Sequence, residues 1–244
     1  MTRLCVGLLA ACVGLSAAHA GAAGVFSYSP IVGDVDSGIG PLKTYTHAVD
    51  FGAGGNSGGF PNTVDGGTTV NGVRFVIGGP QGANYASTGL THYIGFTPWT
   101  ASVPNTENSV ADLLNDFYWR DTFAAPADQT LTLTGLTPGA SYLTTFYNAG
   151  WEQGRVRLVT VGASDGGSVA FDQNFAGYAR PNVLRYAFVA AGDSITYTFH
   201  PADPQNGWHQ YAFTNEVVPE PGATVAAAAA GTAALLVRRR LRGR

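Results

Sequence analysis

Short runs of alternating apolar and polar residues recur between residues 25 and 217, separated by clusters of Gly, Asp, Asn and Pro. In residues 131–134 and 194–199 the period is two, which is typical of a β-strand with one buried and one solvated face. The pattern predicts strands over residues 43–51, 68–77, 130–134, 141–148, 155–161, 168–173, 183–189, 194–200 and 210–215. Strands spaced about ten residues apart indicate an all-β fold, a β-sandwich of jelly-roll type.

One segment has a helical period instead. Its apolar residues are spaced as i, i+3, i+4 and i+7, and they are Val110, Leu113, Leu114 and Phe117. This spacing predicts a short helix over residues 108–119, with Ser109 as its N-cap.

Two glycine-containing pairs predict turns. Asn71-Gly72 favours either a type I′ turn between two strands or a bulge within one strand, because both need positive φ. Pro138-Gly139 predicts a type II turn, in which Pro138 fixes φ and Gly139 takes the left-handed position.

The N-terminus has the three parts of a secretory signal peptide. Arg3 gives a basic start, residues 4–15 form an apolar run, and residues 18–20 have the small-x-small form that signal peptidase needs. We therefore expect residues 1–20 to form an apolar signal helix that signal peptidase removes. A lipoprotein site at Cys12 is the alternative.

Both cysteines of the chain, Cys5 and Cys12, lie inside this signal segment. The exported chain therefore has no thiol, which excludes disulfides, thiolate metal sites and cysteine nucleophiles. Its stability must come from a sizeable apolar core.

The C-terminus also has three parts. Val-Pro-Glu-Pro-Gly at residues 218–222 precedes an apolar run over residues 223–237 and a basic tail over residues 238–244. Fifteen helical residues span about 22 Å, which is short for a hydrocarbon core of about 30 Å but predicts a single transmembrane helix. The arginines after it place the C-terminus in the cytoplasm and the body outside.

This ending resembles the PEP-CTERM sorting signal of Gram-negative bacteria over residues 218–244. The resemblance implies that Pro219, Glu220 and Pro221 are recognised by exosortase, a membrane-embedded cysteine transpeptidase. Exosortase would cleave near the motif and transfer the protein to the envelope or extracellular polymer, so the inner-membrane anchor would be transient. An ordinary single-pass tail anchor, with Pro-Glu-Pro as a linker, is the alternative.

A second resemblance lies in residues 133–147, 171–174 and 208–216. These segments are similar to the jelly-roll ectodomains often found ahead of PEP-CTERM tails and, more distantly, to galactose-binding-like sandwiches. The resemblance implies a fold and carries over no catalytic residue. The expected organisation is a signal peptide at 1–20, a sandwich ectodomain at 21–217 and a sorting signal at 218–244.

The formal net charge of -3 averages over unlike segments. Six of the 13 basic residues lie in the two terminal segments, whereas 15 of the 16 acidic residues lie in the body. The body therefore carries a net charge near -8. Because binding to phosphate backbones needs a basic face, nucleic acid is not expected as a partner.

Catalytic and metal sites have weak signals. Glycoside hydrolysis needs two carboxylates flanking one bond, and only Glu152 lies in a sugar-facing context, beside Trp151. Asp34 and Asp36 alternate as calcium ligands do, but a solvated acidic turn has the same sequence. The histidines lack the spacing of a zinc site. We expect no enzyme activity and no cofactor, with a secreted polysaccharide-active hydrolase as the alternative.

Carbohydrate binding has the best positive signal. Sugars present apolar C–H faces ringed by hydroxyls, so a site needs aromatic platforms edged by polar groups. Trp151, Glu152, Trp208 and His209 are the candidates, although tryptophan also packs in sandwich cores. The sequence predicts an exported envelope or matrix protein that is structural or adhesive and binds exopolysaccharide weakly.

Overall fold

The computed structural model describes residues 22–51, 68–94, 109–114, 116–120, 128–151, 153–203 and 207–219. The predicted signal peptide at 1–20, Glu220, Pro221 and the predicted transmembrane segment at 223–237 lie outside these residues. In chain order the elements are β1 Val25–Pro30, β2 Thr44–Asp50, β3 Thr69–Val70, β4 Val73–Arg74, β5 Val76–Ile77, β6 Tyr85–Thr88, β7 His92–Ile94, α1 Val110–Leu113, β8 Phe117–Trp119, β9 Gln129–Thr134, β10 Ser141–Ala149, β11 Leu158–Ala163, β12 Ser168–Asp172, β13 Pro181–Val189, β14 Ser194–Pro201 and β15 Ala212–Val217. Within the described ranges, no helix is long and apolar enough to cross a membrane.

Two sheets form a β-sandwich, as predicted. The larger sheet has six strands in the order β1-β13-β10-β15-β2-β5, and the smaller has five in the order β12-β11-β14-β9-β6. All neighbouring strands in both sheets are antiparallel except β2 and β5, which are parallel. From β9 to β15 the chain passes repeatedly between the two sheets.

The sandwich core lies between the sheets and is rich in aromatic rings. Alternate residues of β10 point into it, because Cβ atoms alternate between the faces of a strand. Its buried aromatic members are Phe51, Tyr85, Tyr142, Phe146, Phe171, Tyr186, Phe188, Tyr197, Phe199, Trp208 and Phe213.

A second apolar cluster covers the other face of the six-stranded sheet. Tyr147 and Tyr211 pack there against α1, the β3–β4 hairpin and β8. The central strands β10 and β15 are consequently buried on both faces. This outer layer was not predicted, because a period-two pattern implies one solvated face.

The predicted helix over 108–119 is wrong beyond its first turn. Only Val110–Leu113 is helical, and Phe117 begins strand β8. Ser109 makes no side-chain cap; instead the Asp34 carboxylate accepts the Val110 N–H at 2.8 Å. All four apolar residues of the pattern are buried, so tertiary packing and not a continuous helix explains their spacing.

Both predicted turns are present. Asn71 and Gly72 have φ of 48° and 79° and join β3 to β4, so they form a hairpin turn and not a bulge. Gly139 has φ of 82°, and the Ala140 N–H donates to the Thr137 carbonyl at 3.1 Å. Positive φ is accessible to glycine at little cost, which explains its place there.

The six-stranded sheet has two distinct ends. Strand β1 begins and β15 ends at one of them, which we call the terminal end, since Val25 pairs with Ala187 and Val217 pairs with Thr44. At the opposite end, which we call the aromatic end, lie Ala149, Pro181 and Ala212.

Candidate functional site

Five rings meet at the aromatic end, and we call them the aromatic cluster. His209 stacks on Phe117, with ring centroids 4.1 Å apart and planes 18° apart. Trp151 lies edge-on to Phe117 at 5.1 Å, and Tyr211 packs on Phe117 at 4.7 Å. Trp119 completes the cluster at 6.2 Å from His209. Such offset and edge contacts are favourable for aromatic quadrupoles, so they stabilise the packing of the cluster.

The two adjacent candidates Trp208 and His209 point to opposite sides of the sheet. Trp208 lies in the sandwich core, stacked on Phe199 at 4.6 Å, and only 1% of its surface is exposed. Its ring is therefore not available as a sugar platform, contrary to the expectation drawn from its loop position. His209 lies in the outer layer, where it is also buried.

A buried glutamine holds each of these residues by its main chain. Gln129 of β9 accepts from the Trp208 N–H at 2.6 Å and donates to the Trp208 carbonyl at 2.9 Å. Gln173, just after β12, pairs with His209 in the same way, at 3.1 and 2.8 Å. The paired amides satisfy main-chain groups that no strand partner reaches.

The His209 imidazole is held neutral. Burial lowers its pKa well below the usual range, and the positive charges of Arg157 and Arg155 lower it further. Its Nδ1 has no hydrogen-bond partner within the described part of the chain. A neutral imidazole stacked on Phe117 serves as a packing surface for the rings around it.

Trp151 and Tyr178 border the solvent beside this cluster. Trp151 is partly buried. Its main-chain N–H donates to Asn174 Oδ1 at 3.0 Å, which fixes the start of its loop. Tyr178 is 43% exposed, and its main chain forms a parallel bridge with Gly150, the residue before Trp151. Sequence analysis missed Tyr178, which lies in a turn-rich segment far from Trp151 along the chain.

The remaining predicted glycan residue, Glu152, lies outside the described residues. In the segments that continue from Trp151 and Tyr178, Gln153 and Arg180 are exposed and Arg155 is partly exposed. Of the five rings, those of Phe117, His209 and Tyr211 are buried, whereas Trp151 and Trp119 are partly buried.

The predicted calcium candidates have other hydrogen-bonding roles. Asp36 accepts the N–H groups of Val32 and Gly33 at 2.8 and 3.0 Å, which closes a turn. Asp34 accepts from Val110 and so ties this turn to α1. In the residues that the structure describes, no three His, Cys, Asp or Glu side chains are arranged to hold a metal ion.

A buried carboxylate cluster, not predicted from the sequence, lies under the outer layer. Thr68 donates to Asp112 Oδ2 at 2.9 Å, and its hydroxyl is 3.4 Å from Asp50 Oδ2. Burial, followed by the charges of Asp116 and Asp112, raises the pKa of Asp50 well above its usual range. Asp50 is 5% exposed, and its Oδ1 has no hydrogen-bond partner among the described residues.

The predicted sorting motif at 218–222 begins directly after the last strand, which ends at Val217. The Val218 N–H donates to the Ser141 carbonyl at 2.8 Å, continuing the β10–β15 pairing by one residue. Pro219 follows and is exposed. Because proline has no N–H to donate, the ladder cannot continue through it.

Solved structures with a similar fold include two extracellular domains from a plant. The ANX2 ectodomain from Arabidopsis thaliana aligns with a TM-score of 0.52 and 11% identity, over 72% of this chain and 50% of that one. The ANXUR1 extracellular domain from the same plant aligns with a TM-score of 0.51 and 11% identity, over 72% and 49%. The chain thus spans about half the length of these ectodomains. At this identity the likeness shows a shared β-sandwich fold alone.

CBM35 from Cellvibrio japonicus Abf62 aligns with a TM-score of 0.35 and 11% identity, over 55% of this chain and 86% of that one. No protein-family model and no curated protein matches the chain.

Proposed function

We propose that this chain is an exported surface protein, held in the cell envelope through its C-terminal sorting signal, whose sandwich is adhesive and binds glycan weakly at the aromatic end. Exosortase is the enzyme that would recognise Pro219, Glu220 and Pro221. The repeated passage of the chain between the sheets supports a jelly-roll type of sandwich.

The positions of the two chain ends carry this proposal. Strand β1 begins and β15 ends at the terminal end, so the predicted signal peptide and the predicted membrane segment both continue from there. The six residues of β15 separate that end from the aromatic end by about 20 Å. A body tethered through the predicted membrane segment would therefore present the aromatic cluster away from the membrane.

The chemistry of the aromatic end supports glycan as the ligand. Trp151 offers a partly exposed indole that packs edge-on against Phe117, so less side-chain entropy is lost on binding. Tyr178 offers a second ring on the adjacent segment. Exposed aromatic rings suit the apolar faces of sugar units.

The binding proposal is tested with a glycan array probed by the full chain in detergent. We expect exopolysaccharide fragments to bind, and Tyr178→Ala to weaken binding. Tyr28→Ala is the matched control, because Tyr28 is similarly exposed, at 51%, but lies on β1 of the six-stranded sheet. Equal binding by both variants, or no binding to any glycan, would contradict the proposal.

The sorting proposal has a separate test. Deletion of residues 219–244 should release the body into the medium, and Glu220→Gln should slow processing while Val218 stays paired with Ser141. Normal envelope retention of the deleted chain, measured by cell fractionation, would refute exosortase sorting.

One observation favours hydrolysis as a second function. Asp50 and Asp112 share the Thr68 hydroxyl, so their carboxylates lie within the range of about 10 Å that glycosidases use. Both are more than nine-tenths buried, which favours a structural role. Release of reducing ends from exopolysaccharide, abolished by Asp112→Asn, would establish the hydrolase and overturn the purely adhesive role.

A further inference from the structure

Apolar side chains are exposed together on the outer face of the six-stranded sheet, at the terminal end. Val25 of β1 pairs with Ala187 of β13, and Ala187 pairs in turn with Leu143 of β10. Val25 is 69% exposed, Ala187 is exposed and Leu143 is partly exposed. Because directly opposite residues have Cβ atoms about 5 Å apart, these three side chains form one apolar row across the sheet.

Two valines lie next to this row, closer to the strand ends. Val189 is two residues after Ala187 and is 48% exposed. It pairs with Ser141, whose carbonyl accepts the Val218 N–H, and Val218 is 38% exposed. We call Val25, Leu143, Ala187, Val189 and Val218 the apolar terminal patch.

Strand alternation places these five side chains on the same face. Their chain neighbours Phe26, Tyr142, Phe188 and Val217 pack in the sandwich core. Successive side chains of a strand point to opposite faces, so the patch faces outward. Among the described residues, the second apolar cluster, which covers the rest of this face, contains no member of the patch.

Leu42 adds a fully exposed apolar side chain at the same end. It is 99% exposed and lies two residues before Thr44, the first residue of β2, which pairs with Val217. Exposed apolar side chains gathered at one end of a protein mark a contact surface. The terminal end therefore has the character of an interface.

The length of the following segment limits how far this patch can lie from a membrane. Val218 is followed by four residues before the apolar run at 223–237. The Cα atoms of residues 218 and 223 are therefore at most about 18 Å apart. Insertion of the apolar run would hold the terminal end within that distance of the lipid.

A bilayer fits the patch better than a second copy of this chain does. Stable protein interfaces use about 20–30 residues on each side, which is far more than the patch has. A lipid contact needs less area, because the tether makes it intramolecular. Lys43 and Glu216 form an ion pair at 2.8 Å beside the patch, and Asp165 and Asp193 lie on loops at the same end. These carboxylates do not favour anionic headgroups, so the contact is apolar.

We propose that the apolar terminal patch and Leu42 rest on the bilayer that holds residues 223–237, with their side chains at the boundary between headgroups and acyl chains. This inference rests on the predicted membrane segment of the proposed function. The contact tilts the sandwich, because the patch lies on a sheet face. It would also hold residues 219–221 at the membrane surface, where a membrane-embedded transpeptidase acts.

The test measures lipid contact in the full chain, placed singly in phosphatidylcholine nanodiscs. Cys5→Ser and Cys12→Ser remove the native thiols, and Leu42→Cys carries a fluorophore. Val35→Cys is the matched control, because Val35 is also 99% exposed on the β1–β2 connection but lies near the aromatic end, where the Ile31 N–H donates to the Pro181 carbonyl. We expect a quencher on the lipid to act on the Leu42 label at least about threefold more strongly than on the Val35 label.

A second pair of variants assigns the contact to the patch. Val189→Asp places a charge on the patch and should reduce quenching of the Leu42 label to the level of the Val35 label, because a carboxylate resists transfer into lipid. Val76→Asp is the control, since Val76 is 63% exposed on the edge strand β5 and should leave quenching unchanged. Equal quenching in the two variants would overturn the assignment to the patch.

The other outcomes separate this inference from the function on which it rests. Equal quenching of the Leu42 and Val35 labels in a chain held in the discs overturns the bilayer contact and leaves the membrane segment in place. Failure of the chain to enter the discs overturns the membrane segment and the contact together. Shielding of the Leu42 label in detergent that rises with protein concentration shows that a second copy covers the patch, and overturns the bilayer as its partner.

Discussion

The side-chain amide of Gln129 forms both main-chain hydrogen bonds of Trp208, at 2.6 and 2.9 Å. A single side chain thereby replaces a neighbouring strand at a point where the chain crosses the end of the sandwich. Gln173 does the same for His209. These two amides hold the segment from which Trp208 enters the core and His209 enters the aromatic cluster.

Replacing Gln129 by glutamate tests this relationship through pH. At neutral pH a buried carboxylate cannot donate to the Trp208 carbonyl, so Gln129→Glu should lower the free energy of unfolding by about 3 kcal/mol or more. Burial raises the pKa of the new carboxyl in the folded state. Its protonated form donates again, so the deficit relative to the parent should shrink as pH falls through that pKa.

Urea unfolding followed by tryptophan fluorescence measures both effects. Gln129→Leu is the control, since its deficit should not depend on pH. Parallel pH profiles for the two variants would show that donation by Gln129 does not hold Trp208.

Substitutions of two tryptophans should separate a loss of glycan binding from a loss of stability. Trp208→Ala removes a fully buried ring stacked on Phe199 and should cost about 3–5 kcal/mol. Trp151→Ala removes a partly buried ring and should weaken glycan binding by about tenfold, with a smaller loss of stability. Thermal unfolding and glycan affinity should be measured on both; unchanged affinity in a folded Trp151→Ala chain would contradict the assigned site.

The carboxylate cluster predicts a specific pH dependence. The raised pKa of Asp50 means that the folded state binds its proton more tightly than the unfolded state, where the pKa is about 3.9. The contribution of protonated Asp50 to the free energy of unfolding is therefore fully present below that value. It is lost as pH rises through the folded-state pKa, at up to about 1.4 kcal/mol per pH unit.

Asp50→Asn removes this titration, so we expect a flatter profile of unfolding free energy against pH and higher stability than the parent at neutral pH. Chemical unfolding at a series of pH values provides the measurement. Asp193→Asn, at an exposed loop position, should leave the slope unchanged. If the free energy of unfolding changes with pH equally in Asp50→Asn and in the parent, a group other than Asp50 causes the pH dependence.

A close approach between Gly167 and Tyr186 makes another prediction. A Cβ added at Gly167 would lie 2.2 Å from the Tyr186 hydroxyl oxygen, and Tyr186 is fully buried and donates to Asp165. Gly167→Ala should therefore cost about 1–3 kcal/mol through overpacking. Gly162→Ala is the matched control on β11, because nothing lies within 4 Å of its added Cβ. Equal thermal stability of the two variants would contradict the predicted clash.

Local pattern was enough to predict most strands of the two main sheets and both turns. The period-two alternation of β9 and β14 depends on neighbouring residues alone, and so does the positive φ at Gly72 and Gly139. Short or mostly exposed strands such as β1 and β6 lacked such a signal. The helical spacing around Val110 failed because burial under the six-stranded sheet, not a helix, spaces those side chains.

For the candidate site, too, local sequence pattern predicted some features and tertiary packing decided the others. Composition and sequence pattern indicated an aromatic site near Trp151, because indoles in glycine-rich loops are visible in the sequence. Other features depend on contacts between residues that are far apart in the chain. These features are the burial of Trp208, the bridge between Tyr178 and Gly150, and the contacts of Thr68 with Asp50 and Asp112. Strand pairing decides such contacts, since a shift of one residue in register moves a side chain to the opposite face of a sheet.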